Sequence, residues 1–248
     1  MNKKTAQFRF YSELNDFLAP ETRHTTFPYV FLGTPSVKDA IEAVGVPHPE
    51  VDLVLVNGVS VGFDYHLQAD DRVSVYPVFE SLDISPVVRL RPGPLRDTRF
   101  VLDGHLGSLA RRLRMLGFDT LYRRDFDDAE IIRISGGETR VILTRDVGLL
   151  KAGAVTHGYW IRSQLPPEQV REVLDRFDLY SQVRPFQRCI VCNGLISPVA
   201  RSEVEAQLPE KVKELYDEFY RCSGCAKVYW KGTHYRDMMV RVRSYTAR

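Results

Sequence analysis

The chain lacks any apolar run approaching the roughly 18 residues of a membrane-spanning helix. No apolar stretch follows Lys3 and Lys4, so the start does not read as a secretory leader. Both absences lead us to expect a cytoplasmic protein with no membrane partner. Internal repeats and low-complexity tracts are also missing. Cysteine is scarce. There are four, Cys189, Cys192, Cys222 and Cys225, and none is left over once they are taken as two pairs. In a cytosolic chain that spacing favours metal ligation over disulfides. Overall charge of one sign is nearly absent too, at +2. What remains is an ordinary globular composition, 44% hydrophobic and 27% charged over 248 residues, enough for one large or several small domains.

The near-neutral total hides an asymmetry. Residues 1–95 carry 8 Lys and Arg against 12 Asp and Glu, and residues 96–248 carry 26 against 20. A polyanion would therefore bind the C-terminal part. The excess is modest and also fits a plain solvated surface.

Three segments follow along the chain. In residues 1–80, "QFRFYS" and "TFPYVFL" read as strands. "TPSVKDAIEAVGVP" reads as a helix, with Ser36 as N-cap and Gly45 as stop. "VDLVLVNGVSV" runs into the hairpin signal Asn57-Gly58, and "DRVSVYP" closes the set. The order ββαββ is that of a β-grasp. Residues 81–98 hold Pro86, Pro92, Gly93 and Pro94 and read as a linker. In residues 99–182 strands and helices alternate, which predicts a parallel sheet covered by helices. "HLGSLARRLRMLGF" puts Leu106, Leu109, Ala110, Leu113 and Leu116 on one helical face.

The run "RVILTRD" poses a problem, because a strand built for the interior ends on Arg145 and Asp146. A carboxylate at the edge of a core needs a partner. Open parallel sheets bind ligands beyond the carboxyl ends of their strands. Asp103 ends one strand, Asp146 follows another, and Asp128 opens a helix at the same rim. Asp119 opens a strand and belongs at the opposite rim. Carboxylates converging on one rim suit a hard cation, Mg²⁺ or Mn²⁺. Each aspartate taken singly is equally a helix N-cap or a turn residue. Arg111, Arg112, Arg114, Arg123, Arg124, Arg145 and Arg162 surround this region and would hold phosphates. The alternative for the helical arginines is a solvated face.

Residues 183–248 carry "CIVC" and "CSGC" with 29 residues between them. Two such knuckles aim four thiolates at one structural Zn²⁺. A helix is expected near the end of the intervening stretch. Next comes "KVYWKGTHYRDMMVRVR", where Tyr229 and Trp230 could stack on bases beside Lys231 or pack in a core. His234 fits either a binding role or a hydrogen-bonded turn.

Two resemblances emerge from these residues. "VLVNG" and "DRVSVYP" resemble the ubiquitin-like sulfur carriers, such as the small subunit of molybdopterin synthase, but "YPVFESLD" runs on with no terminal Gly-Gly. That favours a module that docks a protein partner, or one that simply packs on its neighbour. "FVLDGHLGSLARRLRMLGFDTLYRRDFDDAEIIRISGGETRVILTRDVGLL", with "CIVC", "CSGC" and "YWKGTHYRDM", resembles the Mut-seven C-terminal RNase family. In that family a PIN-like ribonuclease domain carries a zinc ribbon, often behind a ubiquitin-like module. The resemblance implies metal-dependent cleavage of RNA, structured RNA such as tRNA being one candidate. It maps the catalytic acids onto Asp103, Asp128 and Asp146, with Asp119 in second rank. Where toxin-type PIN nucleases often have a further acid, this chain has "WIRSQ", so a single working metal is expected. The competing reading is a non-catalytic RNA-binding adaptor that uses the zinc ribbon and the arginines.

Overall fold

A computed structural model describes residues 3–77, 90 and 98–247. The connector expected at 81–98 lies outside the described residues, apart from Leu90 and Thr98. The chain forms two compact units, one of Met1–Arg96 with Asp146–Trp160, the other of Asp97–Arg145 with Ile161–Arg248. Residues 146–160, read from the sequence as part of the 99–182 segment, thus group with the N-terminal module.

The first unit begins with β1 (Lys4–Phe10) and β2 (Phe27–Phe31), then α1 (Val37–Ala43), β3 (Val51–Val56), β4 (Val59–Val61) and β5 (Arg72–Pro77). The sheet order is β2-β1-β5-β3-β4. Within this sheet β1 and β5 pair in parallel, with Phe8 opposite Val73, and the other described pairs are antiparallel. This is the expected β-grasp. Alternation along β1 buries Ala6, Phe8 and Phe10 against Val37 and Ile41 of α1. Ser36 caps α1 as its sequence position suggests, accepting from Asp39 N at 3.1 Å. Asn57 and Gly58 both have positive φ, 52° and 85°, as a two-residue hairpin turn requires. Leu90 N donates to Asp52 O at 3.3 Å, and its side chain packs on this core.

The second unit opens with β6 (Phe100–Leu102), α2 (Gly107–Met115), β7 (Thr120–Tyr122), α3 (Asp128–Glu138) and β8 (Val141–Thr144). β6 pairs in parallel with β7 on one side and β8 on the other, Phe100 lying opposite both Thr120 and Val141. All four residues of β8 are buried, which accounts for its unbroken apolar run. Leu106, Leu109, Ala110, Leu113 and Leu116 form the predicted buried face. Each leucine contributes at most about 1.5–3 kcal/mol by leaving water.

The chain then supplies α4 (Val147–Leu150) and β9 (Gly158–Trp160) to the first unit. His48 Nε2 lies 2.8 Å from Val155 O, Lys151 Nζ donates to Glu42 O at 2.9 Å, and Trp160 N donates to Glu50 Oε1 at 2.7 Å. The second unit resumes with α5 (Pro166–Arg176), β10 (Ile196–Val199), α6 (Arg201–Val204), α7 (Glu210–Leu215), β11 (Phe219–Cys222), β12 (Val228–Trp230) and α8 (Thr233–Thr246). β10, β11 and β12 form an antiparallel sheet around a small core of Val204, Leu208 and Phe219. With its two cysteine knuckles this is a zinc-ribbon fold. The helix expected in the gap is α7, and α6 precedes it. Among the described residues no helix is long and apolar enough to cross a membrane.

Candidate functional site

The two knuckles have the same construction. Asn193 N donates to Cys189 O, and Ala226 N donates to Cys222 O, closing each Cys-x-x-Cys loop. The residue after each second cysteine, Asn193 or Ala226, has positive φ. Gly194 is required by close approach, since a Cβ there would stand 2.8 Å from Cys222 Sγ. The four sulfurs lie within 4.8 Å of one another. Cys189 Sγ is 3.7 Å from Cys225 Sγ, and Cys192 Sγ is 3.3 Å from Cys222 Sγ. A tetrahedral ion with metal–sulfur bonds near 2.3 Å would set sulfur–sulfur edges of about 3.8 Å. The donor set therefore fits a closed four-thiolate centre and can hold a structural metal ion.

The charges agree with this. Burial opposes ionisation of Cys189, but the Tyr229 hydroxyl at 3.0 Å and backbone amides outweigh it and bring the thiol to about 6. Burial, joined by the neighbouring sulfurs, pushes Cys192 up to about 12.

A latch fastens the first knuckle to the amino edge of the parallel sheet. Asn193 Oδ1 accepts from Thr120 N at 2.9 Å, and its Nδ2 donates to Asp119 Oδ1 at 2.8 Å. Asp119 also takes Arg140 Nη1 at 2.7 Å and Arg188 Nη2 at 3.1 Å. Burial alone would raise the Asp119 pKa, but hydrogen bonds from Arg140 and Asn193 and the two guanidinium charges hold it below the ordinary carboxylate range. These contacts give Asp119 a structural role at this edge. It sits at the amino edge, as the strand directions require, and meets two guanidinium groups and one amide there.

Arg114 is turned inward. Expected on a phosphate-binding face, it is only 3% exposed. Its guanidinium donates to Thr120 O at 2.9 Å and Val191 O at 2.8 Å, tying α2 to the knuckle. Arg111 and Arg145 are exposed. Arg112 is half-buried, with Nε donating to Tyr245 OH at 3.0 Å. Arg162 is half-buried, and its backbone N donates to Glu172 Oε1 at 2.7 Å.

The opposite edge carries Asp103. It directly follows β6, and its Oδ2 accepts from the buried Thr144 hydroxyl at 2.9 Å, while Oδ1 faces His105 N at 3.4 Å. Thr144, an unremarked residue of "VILTRD", thus orients the first acid. Asp128 is the exposed first residue of α3, and its neighbour Asp127 is the N-cap, accepting from Glu130 N at 2.7 Å. Asp146 is exposed and caps α4 through Gly148 N at 2.7 Å. Among the described residues the cysteines form a close metal-type ligand group, and the three aspartates do not. Tyr229, Trp230 and Lys231 line one pocket, while His234 is exposed in the first turn of α8.

Comparison with known families now adds the identity of this arrangement. Residues 98–242, more than half of the chain, match the Mut7-C RNAse domain. The chain belongs to that family. Residues 3–83 match the Mut7-C ubiquitin domain, in the expected order in front of it. Neither curated proteins nor solved structures give a match. The Mut7-C domain of this chain therefore joins a ribonuclease-type parallel sheet to a cysteine-knuckle ribbon in one compact unit.

Proposed function

We propose that this protein is a metal-dependent ribonuclease. Asp103, Asp128 and Asp146 would hold Mg²⁺ or Mn²⁺, and the four cysteines would hold a structural Zn²⁺. The observation that carries the reading is the RNAse-domain match over 98–242 together with Asp103, directed by Thr144 at the carboxyl edge of the sheet. The donor chemistry fits, because carboxylate oxygens left half-exposed or exposed suit a hard cation that keeps water ligands. When bound, such a cation lowers the pKa of its water and offsets charge on a phosphate. The chain's own part is positional. Thr144 fixes the Asp103 carboxylate, and Asp146 follows two residues later in the sequence. Arg111, Arg112, Arg145 and Arg162 supply positive charge for the RNA backbone. Tyr229, Trp230, Lys231 and His234 extend the RNA contact onto the ribbon side, with structured RNA such as tRNA as one candidate substrate. The ubiquitin-like module serves as a docking site for a protein partner, in the cytoplasm.

One observation favours a second reading, a non-catalytic RNA-binding adaptor. The Asp146 carboxylate already accepts from Gly148 N, and Asp103 faces His105 N, so both have a capping role without any metal. Incubating labelled single-stranded RNA with Mn²⁺ separates the two. A nuclease cuts it, and Asp103→Asn stops the cut while RNA binding persists. An adaptor binds the RNA and leaves it whole under every divalent ion.

A further inference from the structure

A pocket beside the cysteine ribbon, which Tyr229, Trp230 and Lys231 help to line, has a specific shape. It measures about 290 Å³ and is walled by Phe186, Tyr220, Tyr229, Trp230, Tyr235 and Met238. That volume sits at the lower limit of small-molecule sites, roughly 300–1,000 Å³, so it has room for one planar ring system and not for an extended chain. Its aromatic walls are fixed from behind. Trp230 packs on the ribbon core, the Tyr229 hydroxyl is held at Cys189 Sγ, and Phe186 and Tyr235 brace each other with centroids 4.8 Å apart. Such pre-set aromatic faces bind a flat ring without losing side-chain freedom.

Cationic side chains line this apolar interior or belong to the elements that wall it. Lys231 and Arg188 line the pocket, where Lys231 pairs with Glu218 at 2.6 Å and Arg188 with Asp119 at 3.1 Å, and the Lys231 ammonium lies 5.7 Å from the Tyr220 ring centroid. Lys227 Nζ lies 5.8 Å from the Tyr229 centroid. Arg236, Arg241 and Arg243 are exposed along α8. An apolar side chain of a protein partner would find the walls but would not use the cations. A nucleotide uses both, with its base between the aromatic rings and its phosphate at the basic surround.

We propose that this pocket receives a single unstacked base of single-stranded RNA. The proposal rests on the ribonuclease reading above and deepens it. The pocket acts as an anchor that holds one base while the flanking backbone tracks the basic surface. Most of its surface is apolar side chain, so stacking would dominate and preference among the bases would be weak.

The test uses the full-length, zinc-loaded chain carrying Asp103→Asn to prevent cleavage. Its affinity is measured for a short oligoadenylate and for a series in which each position in turn is abasic. Every oligomer keeps the same phosphates, so electrostatic binding is unchanged. We expect one position at which loss of the base weakens binding about tenfold. Met238→Trp, which fills the pocket and leaves its aromatic walls in place, should weaken the intact oligomer to a similar degree and remove the abasic penalty. Tyr235→Ala gives the same readout should the filled pocket fail to fold. RNA that binds tightly with no abasic penalty at any position overturns the pocket proposal and leaves the nuclease reading intact. If that result came with binding of an apolar peptide that Met238→Trp abolishes, the pocket would belong to a protein ligand. No RNA binding by the parent chain would sink both readings together.

Discussion

Asp119→Asn is the substitution that most sharply separates structure from chemistry in this molecule. The carboxylate is tied to Arg140, Arg188 and Asn193, with side-chain exposures of 16% for Asp119 and 6% for Arg140. Asparagine keeps the shape but removes the charge. One of its two terminal atoms becomes a donor that must face another donor. Removing one partner of a buried ion pair costs about 3–5 kcal/mol. Because the Asp119 side chain retains some water contact, we take the lower end, about 3 kcal/mol. For a domain of this size, that shifts the thermal midpoint by roughly 6–12 °C. The pH dependence has a definite sign. The folded pKa is depressed, so the Asp119 contribution is complete above the ordinary carboxylate range near pH 4 and fades as pH falls through the folded value. The gap between wild type and variant should therefore be wide at neutral pH and close in acid. Thermal melts across pH, paired with RNA cleavage well below the melting temperature, make the assay. We expect a destabilised protein with its cleavage retained. A variant as stable as wild type but inactive would refute the latch and return Asp119 to the chemistry.

Two further predictions follow from the same unit. Metal analysis of purified protein should find one Zn²⁺ per chain. Cys222→Ser should lose it and expose residues 183–248 to protease while the N-terminal module stays folded, whereas four free thiols in a folded wild type would contradict the ribbon centre. Arg114→Ala should cost about 1–3 kcal/mol, because it strips a donor from the buried carbonyl of Thr120, while the Val191 carbonyl is near solvent and can bond water instead. Its salt dependence of RNA binding should match wild type, and a shallower salt slope would show that Arg114 meets phosphate after all.

What could be read from the sequence was local. Ser36 as a cap, Asn57-Gly58 as a turn and the two Cys-x-x-Cys pairs are signals contained within a few residues, and the structure has each where expected. Strand direction was legible as well, because the alternation of strands and helices fixes which end of each strand faces the rim. That is why Asp119 and Asp103 fall at opposite edges. The latch was not legible. Asn193 and Arg188 meet Asp119 across about 70 residues of chain, and no short window records that. Arg114 misled for a related reason, since its place on the helix suggested solvent while the knuckle that covers it comes far later. Asp128 does open α3 as its sequence position suggests, with Asp127 before it as the N-cap. Helix α8 was not foreseen, although Tyr235, Met238, Val242 and Tyr245 recur at helical spacing. The alternation of aromatic and basic residues ahead of it drew attention to binding and away from periodicity.

The central claim is that acids at the carboxyl edge hold a metal that cuts RNA. Asp146→Asn tests it most directly, assayed beside wild type for Mn²⁺-dependent cleavage of a labelled single-stranded RNA and for thermal stabilisation by the same ion. Asp146 is exposed, so the fold should survive its neutralisation. The account predicts that wild type cleaves and gains stability with Mn²⁺, and that the variant loses the cleavage and most of the gain while melting normally without metal. Undiminished cleavage and Mn²⁺ stabilisation in Asp146→Asn would contradict it.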